Sequence, residues 1–245
     1  MDAISKLKKD VYNANMDLVK YDLVTLTWGN VSGIDRQSNK MVIKPSGVNY
    51  NELSPDHMVV IDLENDSNES PLNPSSDSPT HAYLYKHFND IDGIAHSHSV
   101  FATIFAQASK EIPCLGTTHA DHFNGNIPVA RHLSKQEVEE HYEKNTGKVI
   151  IERFKNLKPL ENPAVLLSGH APFSWGKSPK DAVKNLLILE RVAKMALDTM
   201  NLNSKTSELP DYIQKKHYLR KHGPNACLLY TSPSPRDLST SRMPS

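Results

Sequence analysis

Cysteine is scarce: the 245 residues carry two, Cys114 and Cys227, far apart in the chain. That excludes a disulfide framework and a cysteine-based zinc site. Excess charge is absent too, with 28 Lys and Arg against 28 Asp and Glu. A chain without a net field has no general means of gathering nucleic-acid phosphates or an anionic membrane surface. The short basic runs, such as Lys8-Lys9 and Lys215-Lys216, are interleaved with apolar residues and read as solvated helix faces. No apolar run approaches the roughly 20 residues of a membrane span. The opening Met1-Asp2-Ala3-Ile4-Ser5 lacks the basic-then-apolar layout of a secretory signal, so the expected compartment is the cytoplasm. What is present is a hydrophobic share of 38%, enough for a sizeable core, and 12 histidines.

Apolar positions Ile4, Leu7, Val11, Ala14 and Leu18 recur every three or four residues and predict an opening helix. Leu23–Trp28, Met41–Ile43 and His57–Leu63 are β-branched or aromatic runs separated by turn residues and predict strands. The Asn-, Ser- and Pro-rich stretch Glu64–Pro79 reads as a loop. Ser78-Pro79 is a helix start, an N-cap followed by proline in the first turn, and predicts a helix to about Phe88. A strand at Gly93–His98, a helix around Val100–Ala108, a short helix at Ser134–Tyr142, strands at Val149–Ile151 and Ala164–Leu167 and a long helix opened by Ser178-Pro179 follow. Strands and helices interspersed without a linker give one α/β domain over residues 1–226. The final segment, residues 227–245, is dominated by Ser, Thr and Pro without periodicity and is expected to be disordered and foreign to the domain.

The histidines are partly placed. His96-Ser97-His98 on a strand turns two imidazoles to one face. Leu166-Leu167-Ser168-Gly169-His170 delivers a third where a core strand meets a loop. Three histidines around Zn²⁺ leave a position open for water or substrate, the catalytic type of site. Asp77, before the helix start, is a fourth ligand, a nearby base or a plain capping carboxylate. Lys44-Pro45-Ser46-Gly47 couples a cation to a glycine turn, and Ser75-Ser76 lies beside a helix N-terminus that favours phosphate, with Gly29-Asn30 available to the same corner. Ordinary turns are the alternative. Thr117-Thr118-His119-Ala120-Asp121-His122 brings a carboxylate for proton transfer, or a turn aspartate, and two rival ligands in His119 and His122. His57, His81, His87, His132 and His141 show no grouping and are assigned to surface or satisfied positions.

Taken in order, Thr25-Leu26-Thr27-Trp28-Gly29-Asn30-Val31-Ser32, Lys44-Pro45-Ser46-Gly47, Pro74-Ser75-Ser76-Asp77, His96-Ser97-His98, Gly116-Thr117-Thr118-His119-Ala120-Asp121 and Lys216-His217-Tyr218-Leu219-Arg220-Lys221-His222-Gly223 resemble the sugar-phosphate 4-epimerases of the class II aldolase/adducin family. The resemblance runs from about residue 3 to Ala226. It implies a three-layer α-β-α fold with a central, mainly antiparallel sheet, assembled as a C4 homotetramer with active sites between neighbours. It also implies zinc-dependent interconversion of L-ribulose 5-phosphate and D-xylulose 5-phosphate, in L-arabinose breakdown, by retro-aldol cleavage of the C3–C4 bond and re-addition of the aldehyde from its other face. Under it, His96, His98 and His170 ligate zinc with Asp77 at the metal. Gly29, Asn30, Ser46, Gly47, Ser75 and Ser76 contact substrate with Lys44 nearby. Asp121 transfers a proton, and His217 contributes from a subunit interface.

One departure stands out. The epimerase pattern places a catalytic tyrosine where this chain has Leu228, after which the Ser/Thr/Pro-rich tail follows; Tyr230 lies two positions late. The competing readings are an aldolase of the same family, of the L-fuculose-phosphate type, and a non-catalytic module like the adducin head. Asp77 in place of Glu and the Thr118-His119-Ala120-Asp121 run favour the epimerase, and the retained histidines argue against the module.

Overall fold

The computed structural model describes residues 2–224 and 226. The tail expectation, and with it Leu228, lies outside the described residues.

The opening helix α1, Ala3–Lys20, is capped by Asp2, whose carboxylate accepts the Ser5 amide at 2.8 Å, and buries Val11, Ala14 and Leu18. It is pinned rather than merely packed. Asn15, fully buried, accepts the Val31 amide at 3.0 Å and donates to the Val31 carbonyl at 3.1 Å. Val31 lies in β1, Gly29–Asp35. The sequence placed this strand at Leu23–Trp28, which is instead a connector with Leu26, like Asp22 just before it, at positive φ. The alternating apolar residues there do not all find a core: Leu26 is 76% exposed.

Further strands are β2, Lys40–Ile43, β3, Val59–Asp62, β4, Ser67–Asn68, β5, Gly93–Ser97, β6, Val129–Ala130, β7, Ala164–Leu167, and β8, Pro172–Gly176. They form one 8-stranded sheet in the order β4-β3-β2-β1-β5-β8-β7-β6. Every pairing is antiparallel except β6 with β7. The implied mainly antiparallel sheet is therefore present. The other α-helices are α2, Ser78–His87, α3, Val100–Gln107, the short α4, Thr117–Ala120, α5, Lys135–Arg153, α6, Pro179–Leu202, and α7, Asp211–His222, and two 3-10 turns lie at Tyr50–Glu52 and Pro55–His57.

Strand alternation assigns the two faces. Val31 and Ala95 belong to a core with α1, α3 and α6. Ile94, Phe173 and Trp175 belong to the opposite core with Leu84 and Tyr85 of α2 and Val149 and Ile150 of α5. Val149–Ile151, expected as a strand, is thus helix. A three-residue apolar run does not distinguish the two, and here Asn145, Thr146, Val149 and Ile150 are buried at helical spacing. The short helix expected at Ser134–Tyr142 is the first part of α5, which breaks at His141 (φ −153°, ψ 76°) and then continues.

Candidate active site

Two segments far apart in the sequence converge on one point. β5 carries His96 and ends beside His98, and the tight β7–β8 turn carries His170 after Gly169, whose φ of +71° suits glycine. One ligand nitrogen from each of the three histidines lies within 4.8 Å of the others. His96 and His170 are stacked at 5.1 Å between centroids, and His98 stands edge-on to both. His96 Nδ1 lies 2.8 Å from the Pro172 carbonyl. A carbonyl only accepts, so that nitrogen carries the proton and Nε2 is left with a lone pair for a metal.

Electrostatics favour the same use. Burial pushes the His170 imidazole down to about 4, with His96 and His98 adding to the effect. Burial and His96 lower His98 as well. Asp77 opposes this trend. Burial pushes its carboxyl up, but the His96 and His81 imidazoles, the Asn30 amide and His170 together hold it below its ordinary range. His98 and His170, pushed toward the neutral form, beside a carboxylate held toward its ionised form make a donor set that fits a divalent cation. Asp77 occupies the N-cap position of α2 without capping it, so the carboxylate is not spent on helix amides. It accepts instead from Asn30 Nδ2 at 2.7 Å.

The residues expected to form an anion corner line the same cavity. A hollow of about 500 Å³ is lined by His96, His98, His170 and Asp77 on one side and by Gly29, Asn30, Lys44, Ser46, Gly47, Ser75 and Ser76 on the other. Two loops are tied together to make it, through Ser46 N to the Asn73 carbonyl at 2.9 Å and Ser75 N to the Lys44 carbonyl at 3.0 Å. Lys44 itself is 2% exposed, and its ammonium donates to the Val48 carbonyl at 2.9 Å and the Pro45 carbonyl at 3.2 Å. It is a cation behind the loop rather than a free arm, and burial lowers its pKa.

Asp121, expected to transfer a proton, and His217, expected to contribute from a subunit interface, meet within one chain: His217 Nδ1 lies 3.1 Å from Asp121 Oδ1, and Arg220 donates to the same carboxylate at 2.9 Å. Burial raises the Asp121 carboxyl, but His217, Arg220 and Lys221 outweigh it and keep the pKa low. Within one chain, neither residue lines the metal cavity. The rival ligand His119 is excluded from it as well, being 4% exposed with Nε2 on the Gly125 carbonyl at 2.9 Å.

Sequence reasoning missed two neighbours of the site. His81, assigned to a satisfied position, is fully buried close to Asp77 and His96; burial pushes it down to about 3, and its Nε2 has no hydrogen-bond partner. Its position four residues after Asp77 was the available signal. Tyr142, next to the break in α5, brings its ring to 6.5 Å from His170. No local pattern announces that break.

The model of the class II aldolase and adducin N-terminal domain matches residues 9–197. L-ribulose-5-phosphate 4-epimerase UlaF of Salmonella paratyphi C (strain RKS4594) and the protein of the same name from Salmonella choleraesuis (strain SC-B67) are each 50% identical over 223 residues, 91% of this chain and 98% of theirs. Among solved structures, an L-fuculose 1-phosphate aldolase superposes with a TM-score of 0.73 at 26% identity, covering 89% of this chain and 95% of that one. An L-fuculose-1-phosphate aldolase from Thermus thermophilus shares the fold with a TM-score of 0.64 at 20% identity, over 82% of this chain and 98% of its own. By that match over residues 9–197 and those identities, the chain belongs to the class II aldolase and adducin family.

Proposed function

We propose that the protein is a zinc-dependent L-ribulose-5-phosphate 4-epimerase, interconverting L-ribulose 5-phosphate and D-xylulose 5-phosphate in L-arabinose catabolism. The observation that carries this reading is the single cavity in which the histidine triad and the serine–glycine loops face one another, so that one small molecule reaches both. The 50% identity to proteins named for this reaction supports it.

His96, His98 and His170, with Asp77, would hold the ion. Bound there, zinc supplies Lewis acidity to the cleavage and re-formation of the C3–C4 bond. Ser46 and Ser75 with their hydroxyls, and Gly47 and Ser76 with their amides, hold the substrate phosphate, backed by the Lys44 charge, and Gly29 and Asn30 complete the substrate contacts. Because the phosphate stays on the C4–C5 aldehyde fragment, the corner retains that fragment while it turns. Asp121, ionised, takes the proton from the C4 hydroxyl as C3–C4 breaks, and His217 steadies and recharges it. Since Asp121 and His217 lie off the cavity of their own chain, the reading includes a homotetramer in which a neighbour supplies them. The absence of any helix long and apolar enough to cross a membrane, among the described residues, is compatible with cytoplasmic work on a phosphorylated sugar.

Leu228 stands where the family resemblance expects the second proton-transfer group. The reading therefore treats residues 1–226 as the enzyme domain and 227–245 as foreign to it. Leu228→Tyr with the chain ended soon after is expected to raise turnover; no gain sinks the loss-of-acid account.

The test is zinc content by elemental analysis followed by conversion of L-ribulose 5-phosphate, with His96→Asn as control. Metal at one per chain, product from the wild type and neither from the variant are expected. Bound metal with released aldehyde would turn the assignment to the aldolase, the reading that the 26% identical L-fuculose 1-phosphate aldolase favours. A metal-free, inactive wild type would leave a binding module.

A further inference from the structure

Two residues that line the cavity, Gly29 at the start of β1 and Lys44, share a neighbour that does not line it. That neighbour is Tyr50, the first residue of the 3-10 turn Tyr50–Glu52. Its hydroxyl donates to the Gly29 carbonyl at 2.9 Å. The Lys44 ammonium stands over its ring, 5.0 Å from the centroid. Tyr50 is 6% exposed and is held in a third core with Val11, Val42, Leu53, Met58 and Val60.

Packing alone does not account for a tyrosine here. Phenylalanine would fill the same space without a hydroxyl to pair. Burial pushes the Tyr50 phenol pKa up, so it stays a donor, and its acceptor belongs to a constrained stretch of chain. Gly29 has a φ of +128°, and a Cβ there would meet the His96 carbonyl at 2.8 Å. Peptide units are planar, so a hydrogen bond to the Gly29 carbonyl sets the Gly29–Asn30 amide as a whole. The ring has a separate effect on Lys44, which donates to the Val48 and Pro45 carbonyls and whose pKa burial lowers without a carboxylate to raise it. Carbonyl dipoles and a ring face attract an ammonium without cancelling its charge, which stays available to an anion in the cavity.

We propose that Tyr50 is a positioning residue for the phosphate corner, its hydroxyl setting the Gly29–Asn30 peptide and its ring seating the Lys44 ammonium, so that both are in place for an incoming phosphate. One side chain thereby ties the start of β1 to the Lys44–Gly47 loop. A corner held in shape before the anion arrives does not lose binding energy to ordering its own groups. The inference rests on the phosphate-corner reading above and names what keeps that corner in shape.

The test is binding of inorganic phosphate to the full-length protein as purified, followed by phosphorus NMR titration with metal content measured alongside, at a pH and temperature where circular dichroism shows each variant folded. Tyr50→Phe, which keeps the ring, should weaken phosphate binding by about 2–10-fold. Tyr50→Leu, which loses both contacts, should weaken it by about 10–100-fold. Metal content should stay at the wild-type value in both. Val60→Ala is the control: Val60 is buried in the same core but lies on β3 and has no polar side-chain atom. It should lose stability and keep wild-type phosphate affinity. Wild-type affinity in both Tyr50 variants overturns the inference, and if Tyr50→Leu does not fold, Tyr50→Phe decides alone. A loss in Val60→Ala equal to that in Tyr50→Leu also overturns it, since core packing alone would then explain the effect. Failure of the wild type to bind phosphate, or of Lys44→Met to weaken that binding, would instead strike the corner reading itself.

Discussion

His119 and His98 have similar sequence credentials and opposite fates. His119 is buried with its Nε2 committed to a backbone carbonyl, whereas His98 opens onto the cavity. His119→Gln is therefore expected to leave zinc content unchanged while costing about 1–3 kcal/mol of stability through the orphaned Gly125 carbonyl, a split read by elemental analysis beside urea unfolding. At Gly47 the constraint is conformational. Its φ is +70° and an added Cβ would meet nothing within 4 Å. Gly47→Ala should fit without a clash and still cost about 1–2 kcal/mol for the left-handed backbone, with a raised KM for the sugar phosphate and normal metal content. A stability unchanged within error would show the loop relaxing to another conformation. At this scale the triad, Asp77 and the serine–glycine loops were legible, because local pattern alone marks an H-x-H, a glycine turn and a helix start. The full burial of His81 was not, since spacing from Asp77 is a weak signal and its packing against Ser32 joins residues distant in sequence.

The element that carries His98 into α3 is secured from elsewhere. Ser99, the N-cap of α3, makes no side-chain cap bond; the Glu190 carboxylate of α6 accepts the Phe101 and Ala102 amides at 2.9 and 3.0 Å in its place. Glu190→Ala should lower the unfolding free energy by about 1–2 kcal/mol, as expected of a lost cap and two amides left without their acceptor, measured as a shift in urea midpoint. An unshifted midpoint would mean that Ser99 takes over. Helices with a local stop or start, such as α1 and α6, were legible in the sequence. The elements misread were those whose identity is set by what they pack against. Leu23–Trp28 has strand composition but no neighbouring strand to pair with, and Val149–Ile151 is helical because α5 lies on the sheet beside α2. Strand β8 went unread although all of its residues are buried.

Across the molecule, buried neutral imidazoles make acid the main threat to the metal-free protein. Burial lowers His81 to about 3 and His119 to about 4, against about 6.5 in an unfolded chain. Between those values the unfolded state binds the protons and the native state does not, so stability falls as pH falls, by about 1.4 kcal/mol per pH unit for each histidine once well below 6.5. Asp77, held below its ordinary range, acts with the same sign at lower pH, its contribution being present above the unfolded carboxylate pKa and lost beneath it. Thermal melts of the chelator-treated protein should show Tm falling from pH 7 to pH 5, before carboxylates titrate. A flat Tm over that range would mean that these imidazoles are protonated without cost.

By itself the sequence determined the α/β class and nominated the histidines and the serine–glycine turns, because capping, turn and strand-alternation rules act over a few residues and survive without tertiary context; the mainly antiparallel sheet came from the family resemblance. Only the tertiary structure decided which of these residues share a cavity. The register of β1 with β5 sets Asn30 against His96, the β7–β8 turn returns His170 to the same point, and Asp121 with His217 is held on a separate cluster between α4 and α7. Those relations follow from burying both faces of one sheet at once, a balance of long-range packing that no short stretch of chain encodes.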